Sequence, residues 1–160
     1  MDRSREYSWS DPMALAELGR GMSGLEFMRS VLLGERTGPP ISATLGFELV
    51  EVDEGRAVFS IVPAEFHYNP IGMVHGGVIA TLLDSAAGCA VHTTLPAGVS
   101  YTSLDLNLKF LRPVGADSGP LRAAGTVLNR GRRTALAQSE LRDADDRLLA
   151  HATSSCMIFS

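Results

Sequence analysis

The chain has 160 residues, of which 45% are hydrophobic and 20% charged, and its formal net charge is -4 at pH 7. This length and composition predict one globular domain with a hydrophobic core. The negative net charge argues against nucleic acid or an anionic membrane surface as a partner. The two cysteines, Cys89 and Cys156, are far apart and form no CxxC motif. We therefore expect a reducing, cytoplasmic environment without a disulfide framework.

The first 40 residues predict a short helical extension, residues 1–40, ahead of the main domain, residues 41–160. Asp11 and the proline after it are typical of a helix start. Ser23 predicts the start of a second helix that ends near Gly34. The residues predicted to form the apolar stripe of this second helix are Leu25, Met28, Leu32 and Leu33.

After a predicted linker at residues 36–40, the hydrophobic period changes to two. Residues 44–63 predict two strands joined at the turn DEG, and residues 63–74 predict a loop with many turn formers. One helix follows at residues 76–92. The strands predicted after this helix lie at residues 102–110, 121–128, 133–142 and 148–159.

Segment 102–110 has the clearest alternation in the chain, and Ser103 falls on its wet face, opposite the apolar residues. Ser103 could still reach a site if this face lines a subunit junction or if a β-bulge re-aims the side chain. Strands joined by tight turns imply a largely antiparallel sheet. One apolar helix against such a sheet is an α+β layer, and a sheet curled around a single central helix is the hot-dog architecture.

The predicted helix at residues 76–92 contains one charged side chain, Asp84. At about 100° per residue, an apolar stripe faces the sheet and Asp84 lies on the opposite side among small residues. Small residues let another backbone approach closely, so we expect this face to pack against a second copy of the chain. The alternative is a carboxylate that only binds a neighbouring hydroxyl or arginine. The small residues are Gly77, Ala80, Thr81, Ala87, Gly88 and Val91.

The helix start reads VHGG and offers no conventional N-cap, although His75 could serve. Gly76 and Gly77 cost backbone entropy there, but they let another molecule approach the chain. The free N–H groups of a first turn can bind a carbonyl oxygen or an oxyanion. Alternatively, the two glycines only permit tight packing.

Three segments together resemble the PaaI-type acyl-CoA thioesterases of the hot-dog, 4-hydroxybenzoyl-CoA thioesterase-like superfamily: HYNPIGMVHGGVIATLLDSAAG, TSLDLNLKFLRPV and GRRTALAQSELRDADDRLLAHATSS. The resemblance covers roughly residues 40–159. It implies hydrolysis of an aryl- or short/medium-chain acyl-CoA to free acid and CoA, without a cofactor. It also implies a homodimer as the minimal unit, with a dimer of dimers as the larger assembly.

The resemblance also implies a role for each matching residue. The Gly76 N–H corresponds to the group that polarises the thioester carbonyl. Asp84, from the opposite subunit, corresponds to the general base or nucleophile. Asn69 corresponds to the amide that orients the carbonyl or the water. His75 matches the histidine before the glycines, and Ser103 matches a position that supports the water or the carboxylate.

Basic residues provide candidate contacts for the phosphates of CoA. Arg130, Arg132 and Arg133 cluster at the turn NRGRR, where we expect Gly131 to leave backbone N–H groups accessible. A solvated hairpin end is the alternative. Arg112 ends a strand and is expected to bind CoA or to pair with a carboxylate.

Two other functions remain open at this point. A hot-dog hydratase or dehydratase would need a catalytic histidine, and His67 is the spare histidine of the loop. A non-catalytic acyl-CoA binding protein is the second alternative. The four histidines have no metal-ligand spacing, and no GxSxG motif is present, so neither a metal centre nor a serine triad is expected.

Overall fold

The computed structural model describes residues 2–160, which begin with two capped helices. Helix α1 (Pro12–Arg20) follows Asp11, whose side chain accepts a first-turn N–H at 2.8 Å. Helix α2 (Gly24–Leu32) follows Ser23, which forms a capping box with the glutamate three residues on. Both predicted helix starts are confirmed.

Helix α2 packs on the core of the main sheet, and Met28 is 5% exposed there. The assignment of Leu33 to the predicted apolar stripe was wrong, because its side chain is 71% exposed. The reason is that the helix ends at Leu32, so the helical period no longer directs the next side chain toward the core.

Helix α3 (Pro40–Leu45) was not predicted from the sequence, which instead placed the start of a strand at Thr44. Pro40 lies in the first turn, and Gly46 closes the helix in the left-handed region with φ 75°. Six residues carry too few apolar positions to reveal a helical period, which explains the error.

Seven antiparallel strands form one sheet in the order β1-β2-β5-β6-β7-β3, with β4 also pairing with β7. The β1–β2 hairpin turns at Gly55, whose φ is 74°, as the DEG motif predicts. The strands are β1 (Phe47–Asp53), β2 (Arg56–Ile61), β3 (Ser100–Ser103), β4 (Asn107–Phe110), β5 (Leu121–Arg130), β6 (Thr134–Arg142) and β7 (Leu148–Phe159).

Helix α4 (Gly76–His92) has the predicted bounds and contacts strands at both ends of the sheet order as well as its centre, so the sheet curls around it. This is the predicted hot-dog arrangement of the α+β class. The helix approaches β5 closely at Gly125, where an added Cβ would lie 2.0 Å from the Ala86 carbonyl oxygen. Within residues 2–160, no helix is long and apolar enough to span a bilayer.

The small-residue face of α4 is only partly free. Ala87 and Val91 are fully buried in a second core cluster, and the Tyr101 ring packs against Gly88. Strand β3 therefore covers the C-terminal half of this face within the same chain. The part left uncovered surrounds Asp84 and includes Ala80.

The predicted single strand at residues 102–110 is interrupted. Ser103 pairs with Cys156 and Asn107 with Thr153, so four steps along β3 and β4 oppose three steps along β7. This extra residue is a β-bulge, and it reverses which side chains face inward. The bulge turns Ser103 toward α4, although its side chain stays exposed, as its place on the wet face predicts. Leu104, in contrast, was assigned to the apolar face and is 58% exposed.

Candidate active site

The first turn of α4 presents a free backbone donor. His75 is the N-cap, and its Nδ1 accepts the Gly77 N–H at 2.8 Å, so the Gly77 donor is occupied. Within residues 2–160, the Gly76 N–H has no hydrogen-bond acceptor. The Phe110 ring lies over Gly76, where an added Cβ would be 2.8 Å from Cζ. Gly76 therefore combines close packing with an unused N–H.

The loop before α4 is held by Asn69. Its Oδ1 accepts the N–H groups of Ile71 and Met73, each at 3.1 Å, and its backbone N–H donates to the Met73 carbonyl at 2.7 Å. These contacts engage the side-chain oxygen and leave the Nδ2 amide, which has no acceptor among residues 2–160. The free amide is a second donor close in sequence to the helix start.

His67 is a buried support of the same loop, and sequence reasoning gave it no such role. Its Nδ1 accepts the Ala64 N–H at 3.0 Å, and its Nε2 donates to the Leu45 carbonyl at 2.7 Å. Its own carbonyl accepts the His75 N–H at 2.8 Å. His67 therefore connects helix α3 to the residue that caps α4. A lone histidine in a loop carries no local signal for this position.

Asp84 lies on the uncovered face of α4, opposite a hydroxyl from β3. The Ser103 Oγ donates to Asp84 Oδ1 at 3.0 Å, whereas Oδ2 accepts no hydrogen bond among residues 2–160. The pair lines an open cleft of about 350 Å³ together with Thr81 and Leu104. The carboxylate is thus oriented through one oxygen, and the residue that carries it lines the cleft.

The NRGRR turn presents three exposed guanidinium groups. Arg130, Arg132 and Arg133 line a depression of about 450 Å³ beside Phe159. One expectation about this turn was wrong: the Gly131 N–H is not accessible, because it donates to the Thr134 carbonyl at 2.8 Å and closes the turn. An anion at this turn would be bound by side chains.

Among the described residues, Arg112 does not form the expected ion pair, and its contact with CoA stays a prediction. Its guanidinium donates to the Leu148 carbonyl and so ties the end of β4 to the start of β7. Within residues 2–160 it forms no ion pair with a carboxylate. Its visible contact is structural.

Thiolates and metal-binding clusters are two other classes of reactive group that an active site could use. Burial raises the pKa of Cys89 to about 12 and also raises the pKa of Cys156, so neither thiol is a thiolate at neutral pH. Among residues 2–160, no three His, Cys, Asp or Glu side chains cluster in a way that could hold a metal ion. The reactive groups that line the cleft are the carboxylates of Asp84 and Asp105, and the Asp105 Oδ1 is already engaged by the Ser155 N–H.

Comparison with known proteins identifies the family of the chain. Residues 71–150, half of the chain, match the thioesterase superfamily. The medium/long-chain acyl-CoA thioesterase YigI of Salmonella typhimurium is 29% identical over 134 residues, covering 74% of this chain and 85% of YigI. The 1,4-dihydroxy-2-naphthoyl-CoA hydrolase of Listeria monocytogenes is 26% identical over 109 residues, covering 68% of this chain and 87% of the hydrolase.

A solved structure is also similar. A phenylacetic acid degradation-related protein from Ralstonia eutropha JMP134 is 36% identical, with a TM-score of 0.73 over 81% of this chain and 98% of that protein. The fold and the relatives together define a hot-dog hydrolase. The chain belongs to the thioesterase superfamily and is a thioester-hydrolysing enzyme.

Proposed function

We propose that the protein hydrolyses an acyl-CoA with an aryl or a short- to medium-chain acyl group to the free acid and CoA. The observation that carries the proposal is the Asp84–Ser103 pair, because it holds one carboxylate oxygen and leaves the other free in a cleft. Asp84 acts as the general base on water or as the nucleophile toward the thioester carbonyl.

The proposed active site is shared between two chains. Gly76 and Asp84 are eight residues apart on α4, which corresponds to about 12 Å along the helix axis. Reacting groups must approach to about 3–3.5 Å, so these two residues of one chain do not serve the same carbonyl. We therefore assign Gly76 and Asn69 to one subunit and Asp84 to its partner. The homodimer is then the catalytic unit, and a dimer of dimers stays a prediction.

The free donors supply the other half of the chemistry. The thioester oxygen accepts the Gly76 N–H, and the Asn69 amide orients the carbonyl or the attacking water. With Asp84 as base, the carboxylate takes a proton from water, the water oxygen bonds to the carbonyl carbon, and the C–S bond breaks. The CoA thiolate leaves and is protonated. One oxyanion donor of this kind contributes about 2.7–4 kcal/mol to transition-state stabilisation in other hydrolases.

CoA as the leaving group is supported by two observations. Both relatives compared above are named for CoA thioesters, one with a medium or long chain and one with an aryl group. In addition, Arg132 and Arg133 expose guanidinium groups suited to bidentate phosphate contacts. His75 caps the helix that carries the carbonyl site and therefore acts by positioning.

A hydratase or dehydratase based on His67 is less well supported. Both ring nitrogens of His67 are occupied by backbone partners, and the side chain is 3% exposed. A general base needs a nitrogen within reach of substrate, and His67 offers none in this arrangement.

The deciding experiment measures free thiol release from a panel of acetyl-, hexanoyl-, decanoyl-, benzoyl- and phenylacetyl-CoA. Hydration of an enoyl-CoA is followed in parallel by loss of ultraviolet absorbance. Thiol release with turnover supports the proposal. Hydration without thiol release would establish a lyase, and saturable CoA-thioester binding without either reaction would establish a binding protein.

A further inference from the structure

The N-terminal helices enclose a cavity that the proposed chemistry does not yet use. It has a volume of about 500 Å³ and lies between α2, α3, β1 and one side of α4. Pockets of about 300–1,000 Å³ bury most of the surface of a small organic ligand. The segments that form its outer wall lie before residue 71, where the match to the family begins. This wall therefore lies outside the region that matches the family model.

The inner wall of the cavity is an uninterrupted stripe of α4. Ser85, Cys89 and His92 occur at positions i, i+4 and i+7, which places them on one side of the helix. Burial raises the pKa of Cys89 to about 12 and lowers the pKa of His92, so both side chains are neutral at neutral pH. On this wall the cavity offers neutral groups.

The opposite wall is apolar. Helix α2 contributes Phe27, Met28 and Val31, and β1 contributes Leu49. Among residues 2–160, the carboxylate that lines the cavity is that of Glu48, which is exposed. A ligand in the interior therefore meets hydrocarbon and neutral polar groups, and a charged group placed there would lose its hydration without gaining an ion pair.

The cavity adjoins the proposed catalytic carboxylate. Ser85 follows Asp84 in the chain, and on β3 the residues Tyr101 and Ser103 face α4 together. Ser103 contacts Asp84, and Tyr101 packs one helical turn further along, against Gly88. Because one turn is about 5.4 Å, the Tyr101 wall of the cavity lies about one helical turn along α4 from the carboxylate.

We propose that this cavity receives the acyl group of the substrate, and that the group is an uncharged, apolar chain of medium length. The N-terminal helices then set chain-length selectivity. This inference rests on the proposed thioesterase function. Each methylene buried in an apolar site should raise kcat/KM about fourfold, until the chain fills the cavity.

The test compares two tryptophan variants on acetyl-, hexanoyl-, decanoyl- and dodecanoyl-CoA. Val31→Trp places a large side chain in the cavity from α2. Leu33→Trp is the matched control, because Leu33 is 71% exposed two residues further along and does not line the cavity. We expect Val31→Trp to lower kcat/KM for decanoyl-CoA at least tenfold while acetyl-CoA changes less than twofold. Leu33→Trp should keep the wild-type profile.

A second variant and a binding measurement keep the inference testable if Val31→Trp does not fold. Ser42→Phe fills the cavity from α3. Calorimetry with the inert thioethers S-ethyl-CoA and S-decyl-CoA should show that wild type prefers the decyl analogue and that the filled variant loses this preference. The inference would be overturned if wild type bound the two analogues equally. It would also be overturned if the filled variants lost kcat/KM equally for all chain lengths. If wild type hydrolyses no acyl-CoA, the proposed function fails instead.

Discussion

The Ser103 hydroxyl donates to Asp84 Oδ1 at 3.0 Å and joins two residues that are 19 positions apart in the chain. The contact depends on the bulge between β3 and β4, which turns the serine toward the helix. The hydrogen bond fixes one carboxylate oxygen and leaves the other for chemistry.

Replacing Asp84 with asparagine should abolish most turnover and leave binding intact. The change is isosteric and removes the group that accepts a proton or attacks the carbonyl. General acid–base catalysis contributes about 10²–10⁴-fold, so kcat should fall by at least a hundredfold. Binding of S-decyl-CoA and the unfolding free energy should stay near wild type. Ser103→Ala should cost about tenfold, because it only releases the carboxylate from its orientation.

Asp105→Asn is the matched control for Asp84→Asn. Asp105 lines the same cleft, but its Oδ1 accepts the Ser155 N–H at 3.0 Å, a contact that the asparagine oxygen can keep. Asp105→Asn should retain nearly full activity. Near-normal kcat in Asp84→Asn would refute the catalytic role of this carboxylate.

Adding a methyl group at Gly76 separates catalysis from packing. In Gly76→Ala the new Cβ meets the Phe110 ring, but that ring is 57% exposed and has room to move. We therefore expect a loss of stability below about 1 kcal/mol and a loss of kcat/KM of at least tenfold, because the methyl group stands beside the carbonyl donor. The double variant Gly76→Ala, Phe110→Ala should remain impaired. Restored activity would mean that the glycine serves only to accommodate the ring.

The bounds of α4 and the identity of its lone carboxylate followed from the sequence, because seventeen residues give a clear helical pattern that begins at HGG. The orientation of Ser103 toward α4 could not be predicted from periodicity in the same way. The alternation of residues 102–110 is unbroken in the sequence, and the bulge exists only because β7 pairs out of step with it. The orientation of Ser103 therefore depends on its pairing with β7, a strand that lies about 50 positions later in the chain.

His67 shows the same limit for the loop. Its role depends on a bond to the Leu45 carbonyl, which is available because helix α3 ends there. Helix α3 is itself too short to be predicted from periodicity. One missed local element thus concealed a long-range support of the candidate site.

The guanidinium groups of the NRGRR turn should affect binding more than chemistry. The double variant Arg132→Ala, Arg133→Ala should raise KM for acyl-CoA more than it lowers kcat, because phosphate contacts bind ground and transition states alike. The effect should shrink at high salt. Arg20→Ala, Arg29→Ala removes the same charge from exposed positions on α1 and α2 and should leave KM unchanged. An unchanged KM in the turn variant at low salt would identify a solvated hairpin.

Burial of His92 predicts a loss of stability in acid. Desolvation lowers the pKa of His92 in the folded chain, so the unfolded chain binds this proton more readily. The contribution of neutral His92 to the free energy of unfolding is complete above its unfolded-state pKa of about 6.5. It is lost as the pH falls toward the folded-state pKa. His92→Phe removes the proton site and should reduce the difference in unfolding free energy between about pH 8 and about pH 5. Urea titrations at both pH values measure the free energy of unfolding. A difference equal to that of wild type would contradict the role given to His92.

Sharing of the active site between two chains can be tested by mixing inactive variants. Asn69→Ala and Asp84→Asn each disable both sites of a homodimer. In a heterodimer, one site receives both defects, and the other combines an intact Asn69 from one chain with an intact Asp84 from its partner. Random assembly gives half heterodimers with one working site of two, so thiol release should recover to about a quarter of wild type. The two variants are unfolded together, refolded and assayed.

The control for this experiment uses the Asp84–Ser103 contact, which lies within one chain. A mixture of Asp84→Asn and Ser103→Ala leaves one defect in every heterodimer site, so its activity should equal the mean of the two homodimers. If Asn69 and Asp84 also belonged to the same chain in each site, their mixture would behave in the same way and no activity would return. Recovery in the first mixture without recovery in the second therefore requires that the carboxylate reach across the uncovered face of α4 into the partner's site.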